Sequence, residues 1–359
     1  MEPDADAAAN GSNGADGERI AVLGAGSWGT ALAYSLAAHG SHRVSLWARR
    51  PDAAEEIART RRNARYLPDA HLPARVAVTA DLTAAVAGAW LWVFAVPSQN
   101  VRDVGRIVAE WAGPGRPACV VSVAKGIENE TLATTTEVLR EALPAVPPES
   151  IGVLYGPSHA EEVAAGLPTS VVVSIPDLAC AERVQEAFMT NALRVYVNTD
   201  LIGVEIAGSV KNVMALAAGM GDGLGLGDNS KAALVTRGLA EVKRLGLAMG
   251  AQPETFAGLA GLGDLVVTCF SRHSRNRLLG EKIGAGKTLA EAEAEMTMVA
   301  EGVRTTVSTR ALARRYGVEM PITEMVHAIL FDGMRPEAAV AELMARDRKA
   351  EDAASYARA

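Results

Sequence analysis

Two charged side chains stand alone in apolar stretches, and as a pair they could move a proton. Between Glu205 and Asp222 the single charge is Lys211, in Ser209-Val-Lys-Asn-Val-Met214, where Ile206, Val210, Val213 and Ala217 follow the spacing of a buried helix face. Between Glu254 and Arg272 the single charge is Asp264, in Gly258-Leu-Ala-Gly-Leu-Gly-Asp-Leu-Val-Val-Thr268. Opposite charges are costly to bury apart, so the two are expected to meet in the fold. Burial lowers a lysine from its usual ~10.4 and a neighbouring carboxylate opposes that shift, which makes Lys211 the candidate general acid/base. The alternative is a buried ion pair without chemistry.

Other residues could receive an anion. Lys125 follows the run Ala118–Val123, at the carboxyl end of an expected strand, where open α/β sheets bind ligands. Ser271-Arg-His-Ser274-Arg275-Asn276-Arg277 sets guanidinium groups among hydroxyl and amide donors, which suits a phosphate clamp or a solvated basic loop. In Gly156-Pro-Ser158 the serine either caps a helix beginning near His159 or faces a ligand. Arg19-Ile-Ala-Val-Leu23 leads into Gly24-Ala-Gly26-Ser27-Trp28-Gly29 and then an alanine-rich helix, 30–39, ended by Gly40. That is a dinucleotide fingerprint in its strand–turn–helix setting: Gly24 for the turn, Gly26 for approach to a pyrophosphate, Gly29 for close packing. About 20 residues on, where an acidic residue would bind ribose hydroxyls, stand Arg49 and Arg50, so NADPH is expected to be accepted and favoured over NADH.

The elements that must position these groups change type along the chain. Arg19–Leu23, Val44–Trp47, Val76–Thr79, Trp90–Val96, Ala118–Val123, Ile151–Leu154, Ser170–Ser174 and Leu193–Val197 are expected strands alternating with helices, the pattern of a parallel sheet covered on both faces. Segments 201–220, 230–249, 288–297, 302–315, 321–331 and 336–345 are expected helices. The predicted fold is α/β: a Rossmann-like doubly wound sheet over 19–200, then an all-helical substrate and catalytic domain over 201–345. Residues 1–18 are expected to be a disordered tail and 346–359 a frayed polar end. Glycines 221, 223, 225 and 227 form an expected turn that serves close packing or hinging.

Composition excludes several classes. The chain has 359 residues, 49% of them hydrophobic, and its 35 Lys and Arg against 42 Asp and Glu give a net charge of −7. Without a long basic block it is no general nucleic-acid binder, and a small anion is the expected partner of the 272–277 segment. The run Val86–Val96 is far short of the ~20 residues of a membrane helix, and the N-terminus lacks the form of a signal peptide. Cys119, Cys180 and Cys269 suggest neither a disulfide framework nor a zinc site, so a cytoplasmic, metal-free protein is expected. A homodimer is the expected assembly, being the commonest symmetric one.

From Arg19 to Ala345 the chain resembles the NAD(P)-dependent glycerol-3-phosphate dehydrogenases, particularly the soluble bacterial type. The motifs stand in family order: GAGSWGTALA from Gly24, SVAKGIE from Ser122, YGPSHAEEV from Tyr155, GSVKNVMALAAGM from Gly208, DGLGLGDNSKAALVTRGLAEV from Asp222, AGLAGLGDLVVTC from Ala257, SRNR from Ser274 and AEGV from Ala300. The resemblance implies reversible hydride transfer between NAD(P)H and dihydroxyacetone phosphate, giving sn-glycerol 3-phosphate for membrane lipid synthesis. It implies Lys211 as proton donor, Asp264 as its acidic partner, and Lys125, Asn212 and Thr268 lining the reaction centre. Implied substrate contacts are Lys125, Gly156, Ser158, Lys211, Asp264, Ser274, Arg275 and Asn276. Implied cofactor contacts are Ser27, Trp28, one of Arg49 and Arg50, Lys125, Ala160, Arg275, Val299 and Glu301. The competing readings are a dehydrogenase of the 3-hydroxyacyl-thioester or 6-phosphogluconate type, which would need a different catalytic set, and a nucleotide-binding sensor without activity.

Overall fold

The computed structural model describes residues 17–38, 42–111, 116–296 and 298–347. Of the expected tails, 1–18 and 346–359, residues 1–16 and 348–359 lie outside the described residues, as does Gly40 as the end of the first helix.

The strands are β1 (Arg19–Leu23), β2 (Arg43–Trp47), a small hairpin β3 (Arg62–Asn63) and β4 (Leu67–His71), β5 (Val76–Thr79), β6 (Leu91–Phe94), β7 (Cys119–Ser122), β8 (Ile151–Tyr155), β9 (Thr169–Ser174) and β10 (Leu193–Val197); β6, β7 and β8, in the middle of the main sheet, are buried on both faces. The eight expected strands make one sheet in the order β10-β9-β8-β7-β6-β1-β2-β5. The β3–β4 hairpin, absent from the sequence reading, has too few β-branched residues to signal itself.

Between the strands run α1 (Ser27–Ala38), α2 (Pro51–Thr60), α3 (Leu82–Val86), α4 (Val101–Trp111), α5 (Thr135–Ala142), α6 (Ala160–Ala164) and α7 (Leu178–Phe188). Leu32 and Leu36 of α1 and Val184 of α7 pack on Ile20 and Val22, while Val104 and Val108 of α4 and Leu139 of α5 pack with Ala21 and Leu23. Alternate residues of β1 thus serve opposite layers, as a doubly wound sheet requires. The expectation of a wholly parallel sheet needs one correction, since β8 and β9 are antiparallel. The β8–β9 connection holds only the short α6, which packs on α1 instead of crossing the sheet, so β9 starts at the end where β8 finishes.

Beyond β10 the chain is helical: α8 (Leu201–Gly223), α9 (Asp228–Ala248), α10 (Asp264–Phe270), α11 (Arg275–Gly284), α12 (Leu289–Ala294), α13 (Glu301–Tyr316), α14 (Pro321–Phe331) and α15 (Pro336–Met344). Asp200 caps α8, accepting from the Gly203 amide at 3.0 Å, and also holds the Gln252 amide and the Thr255 hydroxyl. Helix α8 is long and apolar enough to cross a bilayer, yet 83% of that window is buried among α9, α10, α11 and α13. Its hydrophobicity serves the core. A Cβ on Gly219 or Gly223 would collide with the backbone of α11, so these glycines permit a close helix crossing.

The cysteine expectation is also corrected. Cys119 on β7 and Cys180 on α7, 61 residues apart, are joined as a disulfide with Cα atoms 6.1 Å apart, while Cys269 is free and buried. Sequence spacing carries no information about a contact made when a helix packs on a sheet face.

Candidate active site

The sheet and the helices meet around one carboxylate. Asp264 starts α10 after a π-helical turn, Leu259–Gly263, and is 1% exposed; Lys211, in the middle of α8, is 5% exposed. Lys211 Nζ donates to Asp264 Oδ1 and, at 2.6 Å, to the Thr268 hydroxyl one turn further along α10. Lys125, just past β7, donates to Asp264 Oδ2 at 2.8 Å and to the Gly156 carbonyl at 2.9 Å. Two ammonium groups therefore share one carboxylate, and the buried centre carries an excess positive charge. Burial is the main cause pulling Lys211 down to about 7; Asp264 pushes the other way, and Lys125 lowers it further. A group so poised can give or take a proton near neutral pH.

The expected Lys211–Asp264 approach is thus present, and Asn212, Thr268, Lys125, Gly156 and Asn276 lie in the same network. Asn212 Nδ2 reaches the Lys125 carbonyl at 3.4 Å, Asn276 Nδ2 donates to Asn212 Oδ1 at 2.9 Å, and the Gly302 amide donates to Asn276 Oδ1 at 2.8 Å. The segment read as a basic loop is in part a helix start. Ser274 caps α11, accepting from the Arg277 amide at 3.3 Å, so Arg275 and Asn276 occupy its first turn. Of the two alternatives for Ser158, capping is not realised: His159 occupies the cap position of α6 without a side-chain bond, and Ser158 Oγ donates to the Gly156 carbonyl at 3.0 Å.

The glycine-rich turn lies at the carboxyl end of β1, whose neighbours β2 and β6 lead away on opposite sides. Such a switch point is where open α/β sheets bind nucleotides. Gly24 has φ +127°, and a Cβ there or on Gly29 would strike backbone, whereas one on Gly26 would meet nothing within 4 Å. Open space over Gly26 at the start of α1, beside the buried and unpartnered Trp28 Nε1, fits a dinucleotide. Ser27 is the first residue of α1, and Trp28 and Ala160 share a small apolar cluster with Leu67 and Ala70 of the hairpin. Arg49 and Arg50 follow β2 and are exposed; Arg50 is held by Asp52 through two hydrogen bonds. Val299 is exposed, and Glu301, at the start of α13, accepts from the Ser98 hydroxyl at 2.6 Å with Arg275 in its field.

Sequence reasoning missed Ser98, Tyr155, His159 and Glu205. Ser98 and Tyr155 sit at carboxyl ends of strands, a position that could have flagged them. His159 has its pKa lowered by burial and by the charges of Lys211 and Lys125, and its ring stands 5.8 Å from that of His273, a contact made only by the fold.

A nucleotide-type crevice in a doubly wound sheet, abutting a helical unit that contributes a buried Lys–Asp pair, defines a two-part NAD(P)-dependent oxidoreductase. Residues 19–181 match the model of the NAD-dependent glycerol-3-phosphate dehydrogenase N-terminus, and residues 200–341 that of its C-terminus. The chain belongs to the NAD-dependent glycerol-3-phosphate dehydrogenase family. It is 61% identical over 332 residues to a glycerol-3-phosphate dehydrogenase [NAD(P)+] of Salinibacter ruber, covering 92% of this chain and 96% of that one. It is 54% identical to the enzyme of that name from Prosthecochloris aestuarii, over 92% and 99% of the two chains. The crystal structure of glycerol-3-phosphate dehydrogenase from Coxiella burnetii superposes with a TM-score of 0.87 at 40% identity, covering 92% of this chain and 99% of that one.

Proposed function

We propose that this protein catalyses the reversible NAD(P)H-dependent reduction of dihydroxyacetone phosphate to sn-glycerol 3-phosphate. The observation that carries the reading is the buried Lys211–Asp264–Lys125 cluster with its excess positive charge. The Gly24–Gly29 turn would hold the pyrophosphate of the dinucleotide, whose nicotinamide would supply the hydride. Negative charge then builds on the substrate's carbonyl oxygen, and a preorganised ammonium stabilises it. Lys211 has three N–H bonds; Asp264 and Thr268 take two, which leaves one for that oxygen. Lys211 gives its proton in the reduction and takes it back in the reverse direction, while Asp264 orients it. Lys125 adds positive charge beside the reacting centre. Asn212 orients Asn276, and with Ser274 and Arg275 the first turn of α11 receives the phosphate. Gly156 and Ser158 close the opposite wall. Holding the phosphate away from the reacting carbon fixes the substrate's pose.

The sheet unit to residue 200 serves the cofactor and the helical unit 201–345 the substrate, with Arg275, Val299 and Glu301 reaching the cofactor from the helical side. NADPH is favoured, with Arg49 as its partner: Arg50 is engaged by Asp52, whereas Arg49 has no ion-pair partner among the described residues. The product serves membrane lipid synthesis, in the cytoplasm, and the protein acts as a homodimer. The deciding measurement is the initial rate of reduced-nicotinamide absorbance loss with dihydroxyacetone phosphate, run with NADPH and NADH in parallel. Rapid oxidation supports the reaction and the ratio of rates tests the preference. Folded protein that binds NADPH but oxidises neither cofactor would point to a sensor or another substrate.

A further inference from the structure

Lys125 belongs to a loop, yet its Nζ must meet Asp264 across the junction between sheet and helices. Something has to fix that loop. On one side the Lys125 carbonyl accepts from Asn212. On the other, the carbonyl of the preceding residue, Ala124, accepts from the hydroxyl of Tyr155 at the end of β8. The Tyr155 ring lies under the lysine, with Nζ 5.8 Å from its centroid, and is fully buried. The ring has no freedom to move, because Gly208 of α8 packs flat against it and a Cβ there would collide with ring carbons. Its hydroxyl is backed by Thr135 Oγ1 at 3.2 Å. Thr135 in turn abuts Glu205, a buried carboxylate on α8 that also accepts from the Thr134 and Thr136 hydroxyls and the Thr136 amide at 2.6 to 2.9 Å. Glu205 and Lys211 thus stand on one helix, six positions apart, and the start of α5 is tied to that helix through the former.

We infer that Tyr155, clamped by Gly208 and by the Glu205–Thr135 contact, is a positioning residue that sets Lys125 on Asp264 and so couples the Lys125 loop to the helix carrying Lys211. The inference rests on the proposed reaction. A buried tyrosine hydroxyl needs some acceptor; here that acceptor is the carbonyl next to Lys125, and the ring stands beside the same ammonium, so both ends of the side chain bear on one loop. The groups facing Lys211 are Asp264 and Lys125, with His159 and Cys269 also in its field. Of these, Lys125 is the one Tyr155 holds. Since Lys125 lowers the Lys211 pKa, releasing it raises that pKa and extends the protonated, reduction-competent form to higher pH.

The test is Tyr155→Phe in the full-length chain, which keeps the ring and removes the hydroxyl. kcat/KM for dihydroxyacetone phosphate should fall roughly 10- to 100-fold, the usual cost of a misplaced group. The basic limb of its pH profile should move up by about half a unit or more. NADPH affinity, read by fluorescence titration, should fall far less than kcat/KM, by about threefold at most, since Lys125 is the one cofactor-side group disturbed and the Gly24–Gly29 turn and Arg49 are untouched. Reduced thermal stability with an unmoved pH limb and unchanged kcat/KM would overturn the inference and leave Tyr155 a packing residue. Should the phenylalanine variant not fold, Gly208→Ala, which removes no hydroxyl but displaces the ring and with it the Tyr155 hydroxyl from the Ala124 carbonyl, must shift the same limb in the same direction, and an unmoved limb there overturns the inference equally. A parent protein that binds NADPH but does not turn over would refute the reaction instead, which is a separate outcome.

Discussion

Asp264 and Glu241 are both buried carboxylates on the helical side of the molecule, 1% and 2% exposed, and their surroundings could hardly differ more. Asp264 faces two ammonium groups. Glu241, on α9, accepts from the amides of Ile322 and Thr323 at the start of α14, at 2.7 and 3.3 Å, and from the Thr323 hydroxyl at 3.4 Å, with no ammonium or guanidinium bonded to it among the described residues. Burial raises Glu241 to about 7, only partly offset by those amides. The first site is overpaid in positive charge and invites an anion; the second is satisfied by neutral donors and joins two helices. Surplus charge of one sign, more than burial itself, separates a reactive carboxylate from a structural one.

Five substitutions sharpen or break this contrast. The largest effect is expected at Lys211→Ala, with turnover lost by about 10³-fold or more and NADPH affinity retained; near-normal steady-state turnover would remove Lys211 from the chemistry. Asp264→Asn should follow, at about 10²-fold in kcat. Because Asp264 raises the Lys211 pKa, its loss should also move the optimum for reduction to more acidic pH, and a pH–rate profile checks the sign.

Glu241→Gln should act on stability alone. A carboxyl whose pKa is raised on folding contributes stability that is complete below the unfolded value of 4.5 and is lost as pH rises through about 7. Urea unfolding of the parent should therefore lose roughly 1–3 kcal/mol between pH 4.5 and 8 from this group, and the glutamine variant should lack that part of the slope. An identical slope in both proteins would mean that Glu241 stays ionised. The smallest effect is expected at the cofactor's edge. Arg49→Ala should raise the KM for NADPH about fivefold and leave NADH unchanged, while Arg50→Ala, already occupied by Asp52, should change neither by more than about twofold.

Much of the site was legible before the fold. Lys211 and Asp264 announced themselves as solitary charges in apolar runs, and the fingerprint glycines by their place between a strand and a helix. The basic stretch at 271–277 was visible as charge but not as structure: Ser274 as a helix cap needs the Arg277 amide to turn toward it. Ser158 was left between a helix cap and a ligand contact for a related reason, because a serine near a helix start has more than one partner in reach, and in the fold it bonds the Gly156 carbonyl.

The amino-acid order by itself determined the eight strands of the main sheet, most of the helices beyond them, the dinucleotide turn and the pairing of Lys211 with Asp264, because each follows from local periodicity or from the cost of burying an unpaired charge; the β3–β4 hairpin and the short α10 and α11 were not read from it. Tertiary structure alone decided that β9 runs antiparallel, that Cys119 meets Cys180, and that Lys125 completes the cluster from the sheet side over the Tyr155 ring. These depend on which surfaces meet when layers pack. A residue's type and its neighbours along the chain do not encode the direction from which a partner arrives.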